Sequence, residues 1–240
     1  MSSVQDTAYP RFKSNVTSQE LSAIYTPTPE EQILAERVSK GNVLKLGFLT
    51  LLKSFQRLGY NTPISAVPPA IIQHIAGIVG ISASAQELVG YDSSGTRRRH
   101  IGTIREYLQI QPYDESAQTA MVTAMENAVQ TKHDLVDLIN IALEELVRQR
   151  FELPGFSTIE RMARSVRTRV TSTLYQKVAT SLNREILVQL QALFVSDVTS
   201  TFTPWNQLKQ EPGQPMLSRL QELVERLQWL SQLQFGQTAI

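Results

Sequence analysis

Residues 17–59 read TSQELSAIYTPTPEEQILAERVSKGNVLKLGFLTLLKSFQRLG, and this stretch decides the fold class. Thr17 stands three residues before Glu20, and Thr28 three before Glu31. In each pair the hydroxyl can accept from an orphan amide at a helix start while the carboxylate reaches back to the cap. Pro29 follows Thr28 at the first helical position, where its missing N–H costs nothing. Val43, Leu44, Leu46, Phe48, Leu51, Leu52 and Phe55 then crowd one side of a third helix, and Gly59 stops it.

The same signals recur outward. Ser84 with Glu87 and Ser157 with Glu160 repeat the capping spacing. No Asn-Gly or Asp-Gly turn and no sustained period-two alternation competes. Helices are predicted at 18–25, 29–40, 43–58, 69–79, 84–90, 96–109, 115–131, 133–150, 157–182, 184–196 and 215–234. The expected fold is all-α. Polar or Pro/Gly-rich breaks fall at 60–69, 90–95, 109–115, 152–155 and 199–215. They suggest two small helical, helix-turn-helix-like modules, 1–81 and 82–152, followed by a long-helix region, 153–240.

Composition excludes several chemistries. The chain of 240 residues is 42% hydrophobic, enough for a packed core. It has no cysteine, which removes disulfides, thiolate metal sites and a cysteine nucleophile. Three histidines cannot build a histidine-rich metal centre. Apolar runs are too short to span a bilayer and no secretory h-region stands at the N-terminus, so a cytoplasmic protein with no membrane association is expected. No G-x-S-x-G, Walker loop or H-E-x-x-H is present. His74, within AIIQHIAGIVG, reads as a core histidine, and His133 as a capping or exposed one. Asp134, Asp137, Glu144 and Glu145 read as a solvated helix face rather than a metal set. No catalytic residue, metal site or cofactor is expected.

The formal net charge of +1 hides strong segregation. Residues 111–147 hold seven acids and one base, whereas 148–187 hold eight bases and three acids. Such a split fits docking of an anionic polymer on one side, or two solvated faces of opposite sign. The densest cluster is Thr96-Arg97-Arg98-Arg99-His100 at the start of a helix, with Arg105 two turns on. Arginines there can reach phosphates or guanine edges. They can equally form an exposed basic end with surface salt bridges, although positive charge opposes the helix dipole at that end. Ile101, Ile104 and Leu108 would be this helix's buried side. A second stripe, Arg161, Arg164, Arg167 and Arg169, can track a phosphate backbone or pair with the acidic helix 133–150. Leu217, Leu220, Leu223, Leu227, Leu230 and Leu233 approximate a heptad seam.

Three stretches resemble the N-terminal region of the Tn-three family of replicative transposases. The first runs from Lys40-Gly41-Asn42 through Lys45-Leu46-Gly47-Phe48 to Arg57-Leu58-Gly59-Tyr60. The second is Tyr91 to Leu108, with Thr96, Arg97, Arg98, His100, Ile104 and Arg105. The third is Leu153-Pro154-Gly155 with Ile159-Glu160-Arg161-Met162, and all three occur in the family's order over roughly residues 10–185. The resemblance implies sequence-specific binding of double-stranded DNA at terminal inverted repeats, with strand cleavage assigned to a later RNase H-like domain. It leaves open whether the chain is a fragment of a longer transposase or a free-standing binder. It makes Arg97, Arg98, Arg99, His100 and Arg105 the contacts of the second module. Asn42, Lys45, Lys53 and Arg57 would serve the first, with Arg161, Arg164 and Arg167 as backbone clamps. Two departures stand out: Ser93 and Lys45 occupy positions where the family often has arginine, and Lys45 lacks the bidentate fork. The alternative is a helical protein–protein or dimerisation module, partnering a second copy or a full-length transposase. A metal-dependent nuclease is disfavoured.

Overall fold

The capping and periodicity above produce eleven α-helices in a computed structural model that describes residues 4–82, 88, 90–195, 203–209 and 216–232. They are α1 (Ser18–Ile24), α2 (Pro29–Val38), α3 (Asn42–Leu58), α4 (Pro69–Ile78), α5 (Gly95–Leu108) and α6 (Glu115–Val129), then α7 (Leu135–Arg148), α8 (Phe156–Ser181), α9 (Arg184–Ala192), α10 (Pro204–Leu208) and α11 (Leu217–Gln232). A 3-10 turn, Val4–Asp6, precedes α1, and another, Ile64–Ala66, lies between α3 and α4. Among the described residues there is no strand, only an isolated parallel bridge between Gln111 and Phe151. The fold is all-α.

The boxes at Thr17–Glu20 and Thr28–Glu31 both form, each with hydroxyl and carboxylate engaged. The Ser84–Glu87 box lies outside the described residues, as does most of the helix expected at 84–90. α8 begins one residue earlier than expected, at Phe156, so Ser157 sits inside the first turn, and Glu160 pairs with Arg164. The break read at 199–215 contains a short helix, α10, among the described residues.

The chain divides into residues 1–170 and 171–240. The first unit holds two clusters of buried side chains. α3 fills the first: every residue from Leu46 to Phe55 is buried, so this helix is walled on all sides rather than on one stripe. Around it pack Ala35 of α2, Ile71, Ile72 and Ile75 of α4, Ile104 of α5, and Leu88 and Tyr91 from the segment before α5. Each fully buried Leu, Ile or Phe contributes about 1.5–3 kcal/mol, so this centre outweighs any cap. The expected boundary at 81/82 falls inside this cluster. The second cluster joins Ala117, Met121, Met125 and Val129, spaced four apart on α6, to the apolar stripe of α7 and to Ile159, Ala163 and Val166 of α8.

Three helix ends meet between the clusters. α5 and α7 each stop on a left-handed residue, Gln109 (φ 53°) and Arg150 (φ 58°). The next residues then pair: Gln111 N–H donates to Arg150 O and Glu152 N–H to Gln111 O, both at 2.8 Å. Leu153 N–H donates to the carbonyl of Gly59 (φ 74°), which ends α3, at 2.8 Å. A side chain at Gly59 would also press on Leu153 at 3.2 Å.

Among the described residues of the unit 171–240, few side chains are buried. Leu193 is enclosed, and Phe194 lies against Trp205 with centroids 5.6 Å apart. Leu174, Tyr175 and Val178 of α8, Val188 of α9 and Leu217, Leu220 and Leu227 of α11 are exposed. No helix among the described residues is long and apolar enough to cross a membrane.

Candidate nucleic-acid interface

The start of α5 is built by its own turn. Ser94 caps the helix, its hydroxyl accepting from Arg97 N–H at 3.1 Å. Asp92, two residues earlier, caps a different element: its carboxylate accepts from Ile64 N–H at 2.9 Å and Ser65 N–H at 3.3 Å. Arg97 completes that tie. Its Nη2 donates to Thr62 O at 3.0 Å, and its Nε lies 3.3 Å from Asp92 Oδ1, as an ion pair not aligned for a hydrogen bond. Arg97 therefore fastens the loop before α4 to α5 and is only 18% exposed.

Arg98 and Arg99 behave differently. Both are exposed, and neither meets a carboxylate among the described residues. Arg99 Nη2 donates to Thr96 Oγ1 at 3.1 Å, one turn back. Two adjacent guanidinium groups thus stand in water at the N-terminal turn of a helix whose other side, through His100 and Ile104, is locked into the core.

Three of the expected contacts point inward. His100 is 2% exposed. Its Nδ1 lies 2.6 Å from Tyr91 Oη, and its Nε2 lies 3.3 Å from Val38 O and 3.5 Å from Ser39 Oγ. Its ring stands edge-on to Phe48. Burial pushes its pKa below the ordinary value, and Arg99 adds to this while the Val38 carbonyl opposes it. Burial likewise holds the Tyr91 hydroxyl protonated. Lys53 is buried on α3, its Nζ 3.3 Å from Glu31 Oε2, and Gln56 donates to the same carboxylate at 2.7 Å. Arg105 grips Glu152 through Nε at 2.9 Å and Nη2 at 2.6 Å. His100 and Lys53 are taken from water and find their partners inside the fold, while Arg105, a third exposed, is paired but keeps part of its hydration.

The other expected residues of the first region remain near the surface. Asn42 opens α3 and is exposed. Lys45 pairs with Glu36 at 2.6 Å. Arg57 is exposed and lines a small cleft with Lys13, Glu20 and Tyr25.

On α8 the structure regroups the arginines. A groove of about 550 Å³ runs between α6 and α8, lined by Tyr113, Gln118, Thr158, Arg161, Ser165 and Arg169 among others. Arg161, Ser165 and Arg169 are four apart and share one side. Arg164 turns elsewhere and binds Glu160 at 2.7 Å, and Arg167 is half-buried. Arg169, left out of the expected clamp, completes the groove and pairs with Glu126 of α6. Its spacing from Arg161 was the signal for it. Among the described residues no group of three or more His, Cys, Asp or Glu side chains could hold a metal ion.

The family model described as "Domain of unknown function (DUF4158)" matches residues 1–166. The chain is 30% identical over 193 residues to the transposase for transposon Tn501 of Pseudomonas aeruginosa, which covers 80% of this chain and 19% of that relative. It is 25% identical over 191 residues to the transposase for transposon Tn1546 of Enterococcus faecium, covering 78% of this chain and 19% of that relative. The chain thus spans about a fifth of the length of the curated relatives it matches. It belongs to the DUF4158 family and corresponds to the N-terminal region of Tn-three family transposases.

Proposed function

We propose that this chain binds double-stranded DNA at the terminal inverted repeats of a transposon, in the cytoplasm, as a non-catalytic part of a transposase. One observation carries the reading: Arg98 and Arg99 stand exposed, without carboxylate partners among the described residues, near the start of a helix anchored in the core. A rigid mount matters because a base contact needs its donors held at a fixed depth. The α6/α8 groove, with Arg161 and Arg169 about 12 Å apart along the helix axis, supplies a second place where separate phosphates can be held. The N-terminal relationship to transposases supports the choice of DNA over other anions. The first helix of the helix-turn-helix read before α5 lies mostly outside the described residues.

Titration of a labelled inverted-repeat duplex against a scrambled duplex over a range of salt tests it. Tight binding to the first, with log affinity falling by about 0.9 per phosphate neutralised for each log unit of salt, is expected. Equal, weak binding to both would reject it.

A second reading, a helical module that pairs with another copy or with a full-length transposase, is favoured by the bare leucines of α11. Leu217, Leu220 and Leu227 are 75%, 58% and 64% exposed. Sedimentation of the chain with and without residues 200–240 separates the two readings.

A further inference from the structure

His100 sits where three helices meet, and in its neutral form each of its ring nitrogens has a matched partner. The Val38 carbonyl is one of the last four of α2, which lack an intrahelical partner. It can only accept, so Nε2 must carry the proton. Ser39 Oγ donates to Leu44 O at 3.3 Å and is likewise free to accept from Nε2. Nδ1 is then bare and accepts a hydrogen bond from the Tyr91 hydroxyl at 2.6 Å. Tyr91 cannot retreat, because its ring fills the space a side chain at Gly47 would need, 3.1 Å from that missing Cβ. In the neutral imidazole every donor and acceptor is matched.

A second proton on Nδ1 breaks this pattern twice. The Tyr91 hydroxyl must turn to accept from Nδ1, so its own proton loses its acceptor, and a charge is placed in a buried site against the Phe48 ring. The groups around the ring give no relief. Arg99, on α5 itself, is a like charge. α2 offers the Val38 carbonyl and the Ser39 hydroxyl, α3 offers Phe48 and Gly47, and the segment before α5 offers Tyr91. On the α2–α3 side Lys45 is paired with Glu36. No carboxylate among the described residues bonds to the ring.

We propose that Tyr91 and His100 form a neutral-only lock that docks α5 onto α2 and α3, and so positions Arg98 and Arg99, the two residues beside it, for DNA. His100 is a positioning residue: it touches no DNA, and its protonation withdraws the arginines from register. The inference rests on the DNA-binding reading of α5. It also predicts a direction that simple electrostatics does not. An added positive charge beside a DNA-binding face should tighten binding to phosphate, whereas release of the lock weakens it.

The test uses the full chain. Affinity for the inverted-repeat duplex is measured at fixed salt from about pH 8 down to about pH 5, the range in which histidine titrates. It is repeated for His100→Gln, which keeps a donor for Val38 but cannot titrate, and for Tyr91→Phe. The expected result is a several-fold loss of affinity in acid for the wild type, absent in His100→Gln and moved to higher pH in Tyr91→Phe. Superimposable wild-type and His100→Gln profiles, or tighter wild-type binding in acid relative to that variant, would overturn the lock. Amide exchange of α5 gives a reading independent of DNA. It should speed up in acid in the wild type relative to the variants. If DNA fails to bind at every pH while this exchange response remains, the DNA reading fails and the lock survives. If the exchange response is missing, the lock fails whatever DNA does. Ring nitrogen shifts of wild-type His100 showing a proton on Nδ1 near neutral pH would also overturn it.

Discussion

Arg105 and Glu152 form a two-pronged ion pair, Nη2 to Oε2 at 2.6 Å and Nε to the same oxygen at 2.9 Å, that ties α5 to the segment after α7. The other carboxylate oxygen takes Asn61 Nδ2 at 2.6 Å and Asn61 N–H at 3.3 Å. One carboxylate thus fastens the ends of three helices, α3, α5 and α7, across the gap between the two apolar clusters. Glu152 is 8% exposed and the Arg105 side chain 33%.

Removing one partner of that pair strands the other. Glu152→Ala should cost about 2–3 kcal/mol of unfolding free energy, at the lower end for a buried pair because Arg105 keeps part of its hydration. Arg105→Ala should destabilise by a comparable amount and leave the salt slope of DNA binding unchanged. Urea unfolding and a salt titration of the same variant read the two quantities. A drop in slope of about one for Arg105→Ala would make Arg105 a phosphate contact after all.

Gly47→Ala sets two effects against each other. Inside a helix, alanine is favoured over glycine by about 1 kcal/mol. The new Cβ would lie 3.1 Å from Tyr91 ring atoms, and Tyr91 is itself pinned by His100. Overpacking in a core that cannot give costs typically about 1–3 kcal/mol, so the steric term wins. The variant should be less stable than wild type by about 1 kcal/mol in urea. A stabilised variant would mean that the ring moves freely.

How much of this was legible beforehand follows from the physics of each residue. The capping boxes at Thr17 and Thr28 and the apolar crowding on α3 are local signals, and local signals write helices. The fate of a single basic residue is not local. Lys53 and Arg105 look like any surface cation in sequence, and only the approach of Glu31 and Glu152, distant along the chain, turns them inward. His100 has a charged run on one side and Ile101 and Ile104 on the other. The charged run suggested the surface, but helical geometry carries His100 onto the side of Ile104. The groove pairing of Arg161 with Arg169 was readable, since residues four and eight apart share a side. A count in threes picked out Arg164 and Arg167 instead.

Gln109 and Arg150 hold left-handed backbone at the ends of α5 and α7, where glycine is the usual residue. A left-handed non-glycine residue costs roughly 1 kcal/mol, against which glycine loses some unfolded-state entropy on folding. Gln109→Gly and Arg150→Gly should each stabilise by a few tenths to about 1 kcal/mol. A thermal melt shift of a degree or more upward for each is the expected reading, and a fall for both would mean the side chains contribute more than the strain costs.

His100 makes stability depend on pH in one direction. Its pKa is lowered in the folded chain, chiefly by burial, from an ordinary 6.5. The unfolded chain therefore takes up a proton first as pH falls. The histidine's contribution is complete above about pH 6.5 and is lost progressively below it. Urea midpoints should fall with acid more steeply in the wild type than in His100→Gln, and parallel curves would show that this ring carries none of the acid sensitivity.

The three consecutive arginines of α5 should separate by experiment, because the structure gives them different work. Arg97→Ala removes a donor to Thr62 O and the partner of Asp92, so the loop before α4 loosens. A loss of about 1–2 kcal/mol in stability is expected, with DNA affinity falling only as far as the fold does. Arg98→Ala and Arg99→Ala remove exposed groups with no carboxylate to strand among the described residues, so stability should stay within about 0.5 kcal/mol of wild type. Their effect should appear in binding. A residue that touches a base should cost on the order of 1–3 kcal/mol and relax preference for the inverted repeat. One that touches phosphate should weaken both duplexes alike and lower the salt slope by about one. Stability loss for Arg97 alone, with binding loss for Arg98 or Arg99, is the pattern that a helix anchored on one side and open on the other must give. The reverse pattern would place the DNA surface elsewhere.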